Sequence, residues 1–349
     1  MKILIIGPSW IGDMMMSHSL YRTLKMQNPD SVIDVLAPAW SHPLLLRMPE
    51  VNAALLMPLG HGVIKFMERW YLSQKLRIKN YDQAFVLPGS FKSSLIPFLA
   101  AIPHRTGWRG EMRYGLLNDI RILKKSAFPL MVQRYVALSC QKSCIHNTSD
   151  LPHPLLMPKL QVHEKEKHMT LRTFGLLNQS RPMIGFCPGT ALSLSKQWPY
   201  YHYAALARTL INKGYRILVF GSVHDKNTGE KILLKIPSEM RQYYHNLTGK
   251  THLEEAVVML SCCHTVISND SGLMHITAAL DRPLIGLYGL SNPQFTPPLS
   301  TKARIICDTN KYPPLRNTRT SIGYHQSLIN INPDRVMNEI DKLHDTIED

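Results

Sequence analysis

The sequence predicts an α/β protein made of two tandem, doubly wound parallel-sheet domains. Three observations carry this expectation. Short β-branched runs alternate with amphipathic stretches, the pattern of parallel strands joined by crossover helices. The alternation breaks once, between about residues 147 and 181, and then restarts. The 349 residues, 44% of them apolar, suffice for two such domains, each with its own core.

The elements follow in order. Lys2–Ile6 (KILII) is a β-branched run closed by Gly7, as a buried strand should be. Asp13–Lys25 reads as a helix, Ser31–Leu36 as a strand, and Tyr81–Leu87 as another, closed by Pro88-Gly89. Pro152, Pro154, Pro158 and Pro182 then surround a charged segment, His163–His168, which marks the passage between domains. The domains are accordingly expected over 1–165 and 182–330. In the second, Pro182–Cys187, Arg216–Phe220, Thr265–Ser268 and Pro283–Tyr288 read as strands. Tyr200–Asn212, Leu253–Cys262 and Ser271–Leu280 read as helices, with Thr251 and Glu254 spaced as a capping box. A last helix has Asn332 as its cap, Pro333 in its first turn, and Val336, Ile340, Leu343 and Ile347 on one face.

Nothing in the chain approaches the roughly 20 apolar residues of a membrane span. The N-terminal apolar run is broken by Gly7, Pro8 and Asp13 and does not read as a signal peptide. Six scattered cysteines without a paired C-x-x-C suit a reducing compartment. Cys140 and Cys144, four apart on an expected helix, read as small core residues. These features point to the cytoplasm. The net charge of +15 points to an anionic partner: nucleic acid, a membrane surface or a phosphorylated substrate.

Tandem doubly wound domains imply a central cleft, with ligands at the carboxyl ends of the strands. Four strand-end loops are therefore candidates. Gly7–Asp13 (GPSWIGD) spaces its glycines like a P-loop, but Asp13 and Met14 stand where Lys and Ser/Thr belong, and an Asp there repels a triphosphate. Asp13 is left either as a general base for an attacking hydroxyl or as a helix cap. Pro188–Pro199 offers the Thr190 hydroxyl and the Lys196 ammonium, both suited to a diphosphate. Asn269–His275 (NDSGLMH) would aim the free N–H groups of Ser271, Gly272 and Leu273 at an anion. Asp270 there is a cap or a ligand for a sugar hydroxyl, and His275 a phosphate donor or a packed residue. Asp225, in GSVHD, is placed for ribose hydroxyls or for a helix cap. The chain has no Asp-x-Asp pair to hold a divalent ion on a diphosphate. Lys92, Arg105, Arg109 and Arg113 cluster with Trp108 and Tyr114, an arrangement suited to phosphate, carboxylate or nucleic acid.

Taken together, these loops resemble the heptosyltransferases of lipopolysaccharide core assembly, glycosyltransferase family 9. The segments that carry the likeness are WIGDMMMSHSLYRTLK, FKSSLIPFLAAIPHRTGWRGEMRYGLLND, PGTALSLSKQWP, NDSGLMHITAAL, FTPPLS and GYHQSLI, and they span nearly the whole chain. The resemblance implies a GT-B fold, two Rossmann-like domains facing a cleft, with the closing helix 333–349 packed back on the first. It implies inverting transfer of L-glycero-D-manno-heptose from ADP-heptose to the anionic acceptor heptosyl-Kdo2-lipid A. Asp13 would be the base. Thr190, Lys196, Ser271, Gly272 and His275 would hold the diphosphate, Asp270 the heptose, Asp225 the ribose and Thr251 the adenine edge. Lys92, Arg105, Arg109 and Arg113 would meet the acceptor. No cofactor is required, a divalent ion at most assisting. The chain would work at the cytoplasmic face of the inner membrane, in peripheral contact with it, and not on nucleic acid. It departs from many relatives at Ala191, Gln197 and Leu290. The competing expectations are a nucleotide-sugar epimerase or hydrolase of the same fold, and a non-catalytic basic module for nucleic acid or membrane.

Overall fold

The computed structural model describes residues 1–60, 62–190, 194–308 and 323–348. The chain forms two compact units, Met1–Pro158 and Lys159–Asp349. The boundary therefore falls at Pro158, not near 165. The charged segment expected to link the domains is instead the first helix of the second unit.

The first unit carries strands β1 (Lys2–Ile6), β2 (Val32–Ala37), β3 (Val51–Leu56), β4 (Gln83–Val86), β5 (His104–Trp108) and β6 (Asp119–Arg121). Its helices are α1 (Ile11–Gln27), α2 (His42–Leu45), α3 (Phe66–Arg77), α4 (Phe91–Leu99) and α5 (Met131–Val136). The second unit carries β7 (Met183–Cys187), β8 (Arg216–Val219), β9 (Tyr244–Asn246), β10 (Thr265–Asn269), β11 (Leu284–Tyr288) and β12 (Ala303–Cys307). Its helices are α6 (Glu164–Thr173), α7 (Tyr200–Asn212), α8 (Lys226–Leu234), α9 (Leu253–Ser261), α10 (Gly272–Ala279), α11 (Gln326–Ile329) and α12 (Pro333–Glu348).

Both sheets are parallel, and their orders match: β3-β2-β1-β4-β5-β6 and β12-β11-β10-β7-β8-β9. In each, the order reverses between the unit's first and fourth strands, which lie side by side. That reversal opens a crevice at the carboxyl ends of β1 and β4, and of β7 and β10. The central strands are buried on both faces, so their sequences are continuous apolar runs such as KILII and LIGLY.

Leu4, Ile6, Leu36, Val86 and Ile96 share one core in the first unit. Ile184, Phe186, Ile267 and Ile285 share another in the second, closed by Val336, Ile340 and Leu343 of α12. The last helix thus buries its apolar stripe in the second unit, which corrects the expectation that it packs back on the first. Its cap is as expected, with the Asn332 carboxamide oxygen accepting the Arg335 N–H at 2.8 Å. The capping box of α9 is displaced by one residue: Glu255 accepts the His252 N–H at 2.7 Å, in place of the Thr251–Glu254 pair. Cys140 is half-buried and Cys144 exposed, on separate turns, so the pair does not form a helical core position.

Candidate active site

In the first unit, the loop after β1 leads into α1 with Trp10 as the residue preceding the first turn. Asp13 therefore stands inside the first turn and does not cap the helix. The helix N-terminus favours its charge, yet burial wins, and its pKa is pushed up to about 6. Among the described residues, no donor or cation is bonded to its carboxylate. It faces a cavity of about 760 Å³ at the crevice between β1 and β4, lined also by Trp10, Trp40, Arg69, Lys92 and Tyr135.

Lys92, in the first turn of α4, lines that cavity. The α4 N-terminus is held by Glu111, whose carboxylate accepts the Phe91 N–H at 2.7 Å. Arg109 is exposed on the loop after β5. The other two arginines of the cluster serve the fold. Arg105 donates to the Leu116 carbonyl at 2.7 Å and lies over the Phe98 ring. Arg113, 1% exposed, donates to the Pro88 carbonyl at 2.7 Å and to the Trp108 carbonyl, tying the loop after β4 to the end of β5. Both guanidinium groups hold backbone carbonyls; burial takes Arg113 out of its acceptor assignment, while Arg105 stays half-exposed. Arg69 was not legible as a site residue. It is buried beside the cavity and donates to the Lys92 carbonyl at 3.1 Å. A lone arginine in an amphipathic stretch gives no sequence signal for that position.

The second unit builds its crevice from the ends of β7 and β10. Thr190 follows β7, residues 191–193 (with the departure at Ala191) lie outside the described residues, and Lys196 is half-buried at the end of a short 3-10 turn. Asn269 fastens these loops together. Its side-chain oxygen accepts the Trp198 N–H at 3.1 Å and the Tyr203 hydroxyl at 3.3 Å, and its amide donates to the Pro188 carbonyl at 2.6 Å. The strand expected from the sequence stops at Ser268, whereas β10 runs on through Asn269. A polar side chain at the last, buried position of a central strand is the missed signal.

Ser271 is the cap residue of α10, and the free N–H groups belong to Gly272, Leu273 and Met274. This shifts the expected trio by one and takes the cap role away from Asp270, which stands just before it. His275 is buried, and burial lowers its pKa against the opposing pull of Asp270. Asp225 precedes α8 without capping it through its side chain; one carboxylate oxygen instead reaches back to accept the Ser222 N–H and hydroxyl, both at 2.8 Å. Its carboxyl lies so close to Gly189 and Gly221 that a Cβ on Gly189 would stand 2.5 Å from it. Glycine at both positions lets the ends of β7 and β8 meet on that carboxylate. Thr251 sits in the bend before α9, half-buried. Among the described residues, no three His, Cys, Asp or Glu side chains gather as a metal site.

Comparison with known proteins places these features in context. The model of glycosyltransferase family 9 (heptosyltransferase) matches residues 69–325. The chain is 58% identical over 343 residues to lipopolysaccharide heptosyltransferase 2 of Salmonella typhimurium, with 98% of each chain covered. It is 52% identical over 348 residues to lipooligosaccharide heptosyltransferase 2 of Haemophilus influenzae, covering 98% and 99%. Among solved structures, that of E. coli ADP-heptose LPS heptosyltransferase II matches with a TM-score of 0.91 and 54% identity over 100% of both chains.

Proposed function

Because the chain belongs to glycosyltransferase family 9, the heptosyltransferases, we propose that Asp13 is the base of an inverting heptosyl transfer in lipopolysaccharide inner-core synthesis. The enzyme takes heptose from ADP-heptose and gives it to a heptosyl-Kdo2-lipid A acceptor. The observation that supports the Asp13 assignment most is its carboxylate: unpaired among the described residues, on a large cavity, with a pKa near neutrality. A base works best when its pKa lies near the working pH.

The acceptor hydroxyl attacks the anomeric carbon and passes its proton to Asp13. ADP leaves with the electron pair of the broken bond, and the configuration inverts. Charge developing on the diphosphate is met by the Lys196 ammonium, the Thr190 and Ser271 hydroxyls and the N–H groups that start at Gly272. His275 adds support behind them. Asp270 takes heptose hydroxyls, Asp225 the ribose and Thr251 the adenine edge. The first unit holds the acceptor, with Lys92 and Arg109 as the cations that meet its anionic groups. No cofactor is required for this sequence of steps, and a divalent ion would only assist. No described helix is long and apolar enough to cross a membrane, and we place the enzyme at the cytoplasmic face of the inner membrane as a peripheral protein. Nucleic acid has no part in this function.

The test is ADP release from ADP-heptose, with and without acceptor, for wild type and Asp13→Ala. Release should require the acceptor and fall by two to four orders of magnitude in the variant, while ADP-heptose still binds. Release that ignores the acceptor would indicate a hydrolase, and a fully active variant would remove Asp13 from the mechanism.

A further inference from the structure

Helix α3 turns two polar side chains inward and leaves large apolar ones exposed. Its inward face carries Arg69, Ser73 and Leu76, all buried. Arg69 spends its guanidinium on the Ile64 and Lys92 carbonyls, and Ser73 donates to the Arg69 and Ile96 carbonyls. The opposite stripe carries Met67, Trp70 and Tyr71, with Ile78 just past its end, and these are 54%, 39%, 58% and 81% exposed. The segment leading into the helix adds Val63, Ile64 and Phe66, also exposed. Contiguous apolar surface of this kind on a soluble face marks an interaction site.

The charge around the stripe narrows the partner. From Gly62 to Lys79 the sequence holds Lys65, Arg69, Lys75, Arg77 and Lys79 against one acid, Glu68. Lys65, Lys75 and Arg77 are exposed beside the aromatic residues. Trp and Tyr with a polar edge, a Met, and long cations flanking them are the side chains that settle at the headgroup level of a bilayer. Basic residues there are drawn to anionic lipid. The same helix reaches the cavity through Arg69, so a surface seated on its outer stripe would lie next to the saccharide site.

From these features we infer that the outer face of α3 and the 62–66 segment form the membrane-binding surface of the protein, selective for anionic phospholipid. This rests on the proposed acceptor, whose lipid end stays in the bilayer while its sugars enter the cavity. The experiment is sedimentation with phosphatidylglycerol-containing vesicles and with phosphatidylcholine vesicles, in the absence of donor and acceptor. Wild type should bind the former and not the latter. The triple variant Met67→Ser/Trp70→Ser/Tyr71→Ser should lose at least tenfold in partitioning with an unchanged melting temperature. Lys75→Glu/Arg77→Glu should lose the preference for phosphatidylglycerol. With a deacylated acceptor both variants should match wild type, whereas with acceptor held in vesicles their KM should rise. Failure of wild type to bind vesicles, or equal binding by the triple variant, would overturn the surface. So would a wild-type dimer that the triple variant dissociates, because a second copy would then cover the stripe. Absence of transfer to the deacylated acceptor would instead count against the proposed function and leave vesicle binding as evidence for the surface.

Discussion

Asp13 is a carboxylate held where its neutral form is favoured, and this has consequences for both stability and rate. Its folded pKa of about 6 lies above the ordinary value of 3.8, and desolvation is the cause. A group of that kind binds more protons in the native state than in the unfolded chain. Asp13 therefore costs stability at neutral pH, up to about 3 kcal/mol for a shift of that size. The cost is absent below the unfolded value, grows as pH rises between the two, and is complete above pH 6. Asp13→Asn should melt several degrees higher than wild type at pH 8, the gap closing as pH falls to 4, as calorimetry across that range would read. In wild type, kcat/KM should climb with pH through about 6 and then level off. The sequence could not decide between base and cap for this residue. Trp10 removes the cap alternative, because the helix begins one residue after the tryptophan and puts Asp13 inside the first turn. Arg113 misleads in the opposite way: spacing with aromatics suggests a ligand patch, but only the fold reveals that this guanidinium is buried on carbonyls.

Loops at strand ends are positioned by a few side chains that bond across them. Asn269 joins the ends of β7 and β10 to the start of α7. Replacing it with Ala leaves a buried N–H of Trp198 and a buried carbonyl of Pro188 without their partner, at about 1–3 kcal/mol for each. Asn269→Ala should lower the denaturation midpoint without changing the slope, and should weaken ADP-heptose binding measured by calorimetry more than it weakens acceptor binding. Arg113 plays the corresponding part for β4 and β5. Arg113→Met, which keeps length and removes the donors, should destabilise by about 2–4 kcal/mol through the freed Pro88 and Trp108 carbonyls, with ADP-heptose affinity intact. Some elements with a buried face are legible in the sequence: α7 is bounded correctly because Tyr203, Leu206, Leu210 and Ile211 repeat at helical spacing. α6 is not, since none of its side chains is fully buried and its first turns are almost all charged. The short strands β6 and β9 were missed for a related reason. Three residues give no alternation to read, and β6 buries Arg121, paired with Asp119 at 2.7 Å, where an apolar residue would have been expected.

The two units repeat one topology with unrelated sequences, and both place their candidate groups where the strand order reverses. That much followed from the alternation of apolar runs, because a parallel sheet with right-handed crossovers leaves few other arrangements. The chain also has a surplus of 40 basic over 25 acidic residues, far more than solubility needs, and topology does not account for it. The anionic acceptor proposed above would account for it. A positive field concentrates such a molecule near the cavity and speeds its capture, with little effect on the chemical step. Salt screens that field, with a Debye length of about 10 Å at 0.1 M and about 3 Å at 1 M. Raising NaCl from 50 to 500 mM should therefore lower kcat/KM for a deacylated, anionic acceptor by roughly tenfold and leave kcat at saturating acceptor nearly unchanged. Lys92→Ala/Arg109→Ala should start lower and depend less on salt, because the two cations assigned to the acceptor's anionic groups would be gone. Steady-state rates at five or six salt concentrations decide the matter. A flat kcat/KM in wild type would mean that the surplus charge acts elsewhere on the protein and does not serve acceptor capture.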